Sequence, residues 1–450
     1  MKTTSIILAA GQGTRMNSKL PKVLHPVCGK PMVWHALQAV ISASTEKPVM
    51  VIGHGADTVR NHIGDLVHFV TQAERLGTGH AVQQAESRLK DFEGHILVSN
   101  ADMPLLTSDT LSQLVTRQEA NTGPITMLTL IADDPRGFGR IVRDEAGSVR
   151  AIVEEADCTE EEKAITELNA AAYCFDSEWL WNALSKIPLS AKGEYYLTDT
   201  VGLAVEAGLN VEAIILENVN EAIGVNNRVH LSEAETQMRA RVNRNLMMKG
   251  ITLIDPQSTY IGMDVEIGQD SIIQPNTHLR GETVIGKNCE IGPNTIITDC
   301  KIGDRCEILS SVLEKATLED DVDMGPFGRL RRGAYLSKGV HIGNFGEVKD
   351  SHLGEGVKMG HFSYIGNATI GAETNIGAGT ITCNYDGENK HHTEIGEGVF
   401  IGSDTMLIAP LKIGDRARTG AGAVVTKDIK EDRLAVGMPA RSIKKLQNNK

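Results

Sequence analysis

IGMDVEIGQDSIIQPNTHLRGETVIGKNCEIG, residues 261–292, repeats an aliphatic-glycine pair at Ile261-Gly262, Ile267-Gly268, Ile285-Gly286 and Ile291-Gly292. The pairs return at Ile365-Gly366, Ile370-Gly371, Ile376-Gly377, Ile395-Gly396, Ile401-Gly402 and Ile413-Gly414, mostly at intervals of 6, 12 or 18 residues with slips to five. A six-residue period held this long is the signature of a parallel β-helix. The aliphatic residue points into a narrow prism, and glycine or a small polar residue turns the corner. An aromatic content of 4% beside 45 glycines fits, because such an interior has no room for rings. Stacked coils leave flat side faces, so three columns are expected to pack as a homotrimer with clefts between neighbours.

Upstream the pattern changes. Residues 228–250 begin with RVHLSEAETQMRARVNRNLMM, one polar helix whose alternating charges suit an exposed connector. Before it, strand-like and helix-like segments alternate. TSIILAA, PVMVIGHG, HILVSNAD and PITMLTLIA read as strands. PMVWHALQAVISAS, GTGHAVQQAESRLKDF and TSDTLSQLVTRQEA read as helices, the last capped by Thr and Ser. This alternation predicts an α/β domain over 1–227 with a Rossmann-like, mostly parallel sheet. The β-helix domain is expected over 251–450. Ligands of open sheets bind beyond the carboxyl ends of the strands, which puts Gly11 and Asp102 on one rim.

The chain has 450 residues and a net charge of −13, which argues against broad contact with nucleic acid or an anionic membrane. No apolar run reaches the length of a membrane span. Its seven scattered cysteines, with no CxxC, read as reduced thiols of a cytoplasmic protein.

The first chemistry lies in ILAAGQGTRMNSKLPK, residues 7–22. The loop lacks the GxxxxGK[ST] of a P-loop, and Met16 stands where a dinucleotide fingerprint has its third glycine. A strand running into free backbone N–H groups still makes an anion cradle, with Arg15 and Lys22 to neutralise a polyphosphate. Asp102, after the strand HILVS, suits a Mg²⁺ ligand as well as a turn residue. Gln72, the Gly77-Thr78 loop and Asn226 supply further polar groups.

The second chemistry interrupts the repeat at KMGHFSYIGNATIG, residues 358–371. His361 lies near Tyr364, and Lys349 precedes it by two hexapeptides. A neutral imidazole can take the proton of an amine that attacks a thioester, with Ser403 near the oxyanion. NYDGENKHHTEIG breaks the period as a loop on a binding face. Its His391 and His392 have no evident third metal ligand.

The ordered set LAAGQGTRM, LPKVLH, QAERLGTGHA, NADMPL, GFGRIV, IVEEAD, GEYYLTD and GVNNR resembles the sugar-1-phosphate nucleotidyltransferases. GPFGRLRRGA, NFGEVKDSHLG, GHFSYIG, NIGAGTITCNYDG and IGSDTMLIAP extend the likeness into the repeats. Nearly the whole chain resembles the bacterial bifunctional N-acetylglucosamine-1-phosphate uridyltransferase/glucosamine-1-phosphate N-acetyltransferase family.

The resemblance implies a left-handed β-helix, a homotrimer, and two reactions that make UDP-N-acetylglucosamine, a cell-wall precursor. Acetyl-CoA would acetylate glucosamine 1-phosphate; UTP with Mg²⁺ would then convert N-acetylglucosamine 1-phosphate. Leu8, Ala9, Ala10, Gly11, Gln72, Gly77 and Thr78 would hold the uridine end. Arg15 and Lys22 would hold the triphosphate, and Asp102 with Asn226 the Mg²⁺. Gly139, Glu154 and Asn169 would hold the sugar. In the repeats, Arg331, Lys349, Tyr364, Asn375 and Lys390 would bind the acetyl acceptor, and His361 would be the base. Asn384, Tyr385, Ser403 and Ala421 would line the acetyl-CoA site, with Arg441, Lys444 or Lys445 meeting its phosphate. Departures from the family pattern are Ala101 for Gly, Ala170-Ala171 for Thr-Gly, and Arg332 for Pro. The alternative is a single-function nucleotidyltransferase with a structural β-helix, against which His361, Lys349 and the NYDG loop speak.

Overall fold

A computed structural model describes residues 1–445; residues 446–450, the end of the expected second domain, lie outside it. The chain forms two compact units, Met1–Met238 and Arg239–Lys450. The first contains strands β1 (Thr3–Ala9), β2 (Val49–Ile52), β3 (His68–Thr71), β4 (His95–Asn100), β5 (Ile125–Ile131), β6 (Arg140–Arg143), β7 (Val149–Val153), β8 (Glu167–Asp176) and β9 (Val211–Ile215). They run β9-β5-β8-β4-β1-β2-β3 across the sheet, with β6 joining β8 to β7.

Ile6 and Ile7 enter different apolar clusters, so helices cover both faces of the sheet. Leu8 pairs with Asn100 in parallel register, which brings the ends of β1 and β4 to one rim. The helix Ser108–Ala120 starts as its sequence indicates, with Thr107 Oγ1 accepting from the Thr110 N–H. One feature differs from expectation. The helix expected around residues 77–92 divides into Thr78–Gln83 and Glu86–Leu89. Strand β8 runs antiparallel to β4 and β5. A strand buried on both faces reads as the same apolar run in either direction.

Among the described residues the second unit is a prism of three sheets of twelve, ten and nine strands, parallel except for the last strand of the first. Registers such as Leu279↔Ile297, Val348↔Ile365 and Ile297↔Leu313 give coils of 18, 17 and 16 residues. The 384–392 insertion lengthens the Ile376↔Ile401 coil to 25. Ile291, Ile308, Val348 and Ile365 are wholly buried in the prism. A Cβ on Gly286 would meet the Gly303 carbonyl oxygen at 2.5 Å, so the corner requires glycine. Other corners use left-handed Asn276, Asn288 and Asp321, whose short polar side chains tolerate positive φ.

The helix Arg228–Met248 corrects the reading of an exposed connector: Ala234 and Met238 are buried in its first half, and Asn243 and Leu246 in its second. Within the first unit, Glu235 Oε2 accepts from the Cys28 N–H at 2.6 Å. Within the second, Asn243 Nδ2 donates to the carbonyls of Pro256 and Thr259 at 2.8 and 3.1 Å. Its charge pattern hid this because the buried residues are few and one of them, Asn243, is polar.

Candidate active sites

In the first unit a cleft opens at the carboxyl ends of β1 and β4. Leu8, Thr78, Gly139, Glu154 and Asn169 of the expected site line it, together with Asn100, Phe138, Tyr173 and Thr198. Ala9 and Ala10 are buried behind the loop, and Gly11 is exposed. Nothing lies within 4 Å of where a Cβ on Gly11 would sit, so this glycine leaves space at the strand edge.

The segment Tyr195–Thr198 ties the far wall together. The Tyr195 carbonyl accepts from the Gly79 N–H at 2.8 Å, and the Tyr195 N–H donates to Leu76 O at 2.7 Å. The Leu197 N–H donates to Thr78 Oγ1 at 3.0 Å. Thr198 Oγ1 donates to Glu154 Oε1 at 2.8 Å. Gln72 is buried and donates through Nε2 to the Gly77 carbonyl at 3.1 Å, which fixes its amide plane beside that loop. Burial raises the Glu154 carboxyl above its ordinary range, against the lowering bond from Thr198. Arg140, 1% exposed, donates to the Phe138 carbonyl and to Glu155, holding the GFG turn.

Beyond the strand ends, four groups expected from sequence meet. Lys22 Nζ lies 2.5 Å from Asp102 Oδ2 and 3.4 Å from Asn226 Oδ1. Arg15 Nη2 donates to the same Asn226 oxygen at 3.1 Å. A Val225 N–H bond to the Asp102 carbonyl, 2.9 Å, fastens the two oxygen donors side by side. Asp102 and Asn226 thus converge on one cation position, here filled by an ammonium. One carboxylate and one amide oxygen are a donor pair that would fit Mg²⁺, a hard cation that takes oxygen ligands. Among the described residues no cluster of three or more His, Cys, Asp or Glu could hold a metal alone. Arg75, not anticipated from sequence, donates to Gln12 in the loop.

Two departures acquire a structural meaning. Ala101 is fully buried in an apolar cluster rather than beside the cleft. Ala171 lines the cleft with φ +51°, in the left-handed region that favours the glycine expected there.

In the β-helix, Arg331, Lys349 and Tyr364 occupy successive coils of the ten-stranded face. Lys390 comes from the inserted loop. The neighbouring Lys390 first, then desolvation and the Arg331 charge, hold the Lys349 ammonium's pKa below the ordinary lysine range. His361 and Asn375 belong to the twelve-stranded face. His361 Nδ1 lies 3.0 Å from Asn344 Oδ1, an acceptor that favours the tautomer with its proton on Nδ1 and its lone pair on Nε2. Sequence reasoning missed Asn344, although it stands one coil before His361.

Asn384 donates to Asn367 Oδ1 at 2.6 Å, and Tyr385 projects from the loop, 61% exposed. Ser403 and Ala421 follow in successive coils, joined by a 2.8 Å bond from the Gly422 N–H to the Ser403 carbonyl. Arg441, Lys444 and Lys445 lie on an exposed strand antiparallel to Arg433–Val436.

Comparison with known proteins agrees with this division. Residues 4–224 match the nucleotidyl transferase family model. Residues 264–299, 282–315 and 392–427 match the bacterial transferase hexapeptide model. The bifunctional protein GlmU of Heliobacterium modesticaldum is 47% identical over 98% of this chain and 97% of its own length. GlmU of a Geobacillus species is 46% identical over 99% and 97%, and that of Streptococcus agalactiae serotype V is 46% identical over 97% and 95%. The chain belongs to the GlmU family of bifunctional enzymes, which join acetyltransferase and uridyltransferase activities for UDP-N-acetylglucosamine synthesis.

Proposed function

We propose that residues 1–227 catalyse uridylyl transfer from UTP to N-acetylglucosamine 1-phosphate and residues 251–450 acetylate glucosamine 1-phosphate with acetyl-CoA, with 228–250 as the link. The observation that carries the first assignment is the convergence of Asp102, Asn226, Lys22 and Arg15 on one rim. Leu8–Gly11, Gln72, Gly77 and Thr78 hold the uridine, and Gly139, Glu154 and Asn169 the sugar. Arg15 and Lys22 meet the triphosphate. Mg²⁺ on Asp102 and Asn226 would supply further neutralisation of phosphate charge. A sugar phosphate oxygen attacks the α-phosphorus and pyrophosphate leaves, so the chain contributes alignment and countercharge.

In the β-helix, His361 Nε2 accepts a proton as the glucosamine nitrogen attacks the thioester carbon, and CoA leaves as its thiol. Arg331, Lys349, Tyr364, Asn375 and Lys390 bind the acceptor; Asn384, Tyr385, Ser403 and Ala421 bind acetyl-CoA. Lys349 and His361 stand on different faces of the prism, which supports a homotrimer in which the faces of neighbouring chains complete the site. No helix among the described residues is long and apolar enough to cross a membrane, and we assign the enzyme to the cytoplasm.

The test supplies glucosamine 1-phosphate, acetyl-CoA, UTP and Mg²⁺ and follows CoA thiol and pyrophosphate separately. His361→Ala should abolish the thiol signal, and added N-acetylglucosamine 1-phosphate should restore pyrophosphate release. A chelator should remove pyrophosphate release alone. Release of pyrophosphate from the acetylated sugar with no thiol from the unmodified enzyme would instead mean a single-function nucleotidyltransferase.

A further inference from the structure

Strand β8 carries an irregularity inside the cleft. Asn169 pairs with Thr129 and Tyr173 with Met127, so four steps along β8 oppose only two along β5. In a regular strand Asn169 and Tyr173 would stand about 13 Å apart; opposite partners two residues apart, they stand roughly 7 Å apart. The surplus chain is looped out through Ala171, at φ +51°. The compression lets the two side chains meet: Asn169 Nδ2 donates to the Tyr173 hydroxyl oxygen at 2.7 Å. Asn169 Oδ1 accepts from the Ala171 N–H at 3.0 Å.

The Ala171 N–H, a pure donor, keeps the amide oxygen on its side, and the Tyr173 hydroxyl, accepting from Nδ2, pins the other end of the amide plane. Both residues line the cleft, with Asn169 5% and Tyr173 4% exposed. The Tyr173 ring is itself held by stacking on Phe175, with centroids 5.7 Å apart. One amide hydrogen and one oxygen lone pair of Asn169 therefore keep a fixed direction. An irregular strand, a left-handed alanine and a buried phenol converge on this one amide.

We infer that Tyr173 is a positioning residue for sugar recognition. It acts through Asn169, anchoring the Nδ2 end and so the plane of the amide that the sugar phosphate meets. This rests on the assignment of the cleft to N-acetylglucosamine 1-phosphate. Phenylalanine at 173 keeps the ring and its stacking but leaves the Asn169 donor without its acceptor and its amide anchored at the oxygen alone, by the Ala171 N–H.

The experiment is steady-state pyrophosphate release by the full chain with UTP, Mg²⁺ and N-acetylglucosamine 1-phosphate. It compares Tyr173→Phe, Asn169→Ala and the double variant with the unmodified enzyme. Tyr173→Phe should raise KM for the sugar phosphate about tenfold. KM for UTP should stay within about twofold, which also reports that the domain has folded. The double variant should be no worse than Asn169→Ala, because Tyr173 acts through that residue. Sugar KM unchanged by Tyr173→Phe overturns the inference, as do additive losses in the double variant. A lowered melting temperature with both KM values raised together replaces positioning by a structural role and also overturns it. If the unmodified enzyme binds neither substrate, the assignment of the cleft falls and the inference falls with it; turnover without a Tyr173 effect rejects the inference alone.

Discussion

Ala171 shows how one methyl group can weigh on a site. A left-handed conformation costs a non-glycine residue about 1–2 kcal/mol. Glycine would remove that strain while returning about 0.4–1 kcal/mol of chain entropy to the unfolded state. Ala171→Gly is therefore expected to stabilise the first unit by about 0.5 kcal/mol, a rise of 1–2 °C in its melting transition by calorimetry. A fall would mean that the methyl group makes compensating contacts. Glu154 makes a second residue-scale case. Burial raises its pKa above the ordinary 4.5, so the folded state holds this proton more tightly than the unfolded chain. Its contribution to stability is favourable at low pH and is lost as pH rises from 4.5 through the raised folded value. Glu154→Gln keeps an oxygen acceptor for Thr198 and removes the buried charge. The variant should melt higher than the unmodified chain at pH 7 and match it near pH 4, as read by melting curves across that range.

At the scale of elements, the Leu76–Gly79 loop and the Tyr195–Thr198 segment work as one clamp. Gly77 has φ +99°, and a Cβ there would meet the Tyr195 carbonyl oxygen at 2.5 Å. Gly77→Ala should push the loop off the segment and weaken the bond network through Thr78 to Leu197. UTP affinity should fall at least tenfold by titration, with CoA release unchanged; unaltered UTP affinity would mean that the loop does not form the nucleotide pocket.

The clamp also marks what the sequence made legible. A hexapeptide repeat declares itself because each coil repeats the same local demand: an aliphatic residue inward and a small or left-handed residue at the corner. The Gly11–Lys22 loop is legible for the same local reason, since strand, glycines and cations are contiguous. The Thr78–Leu197 bond joins residues 119 apart and leaves no periodic trace. The compressed β8 is equally silent: LNAAAYCF reads as a plain buried strand until the register of β5 is known. Asn344 was within reach of the coil period, which puts it beside His361.

The two units of the molecule carry separate apolar cores. One lies within the prism and the others flank the α/β sheet. Each coil of the prism buries its aliphatic residues against the coils before and after it, so a cavity is felt by that stack rather than by the sheet. Ile342 is wholly buried in the prism, and truncating it to alanine costs about 2–5 kcal/mol. Calorimetry of the full chain should accordingly resolve two transitions, with Ile342→Ala lowering one of them. UTP with Mg²⁺ should raise the other, because a ligand stabilises only the folded unit that binds it. Pyrophosphate release by Ile342→Ala should persist at temperatures where CoA release has already failed. A single transition that Ile342→Ala and UTP move in opposite directions would mean that the two cores unfold as one cooperative body, and that the two activities are lost together.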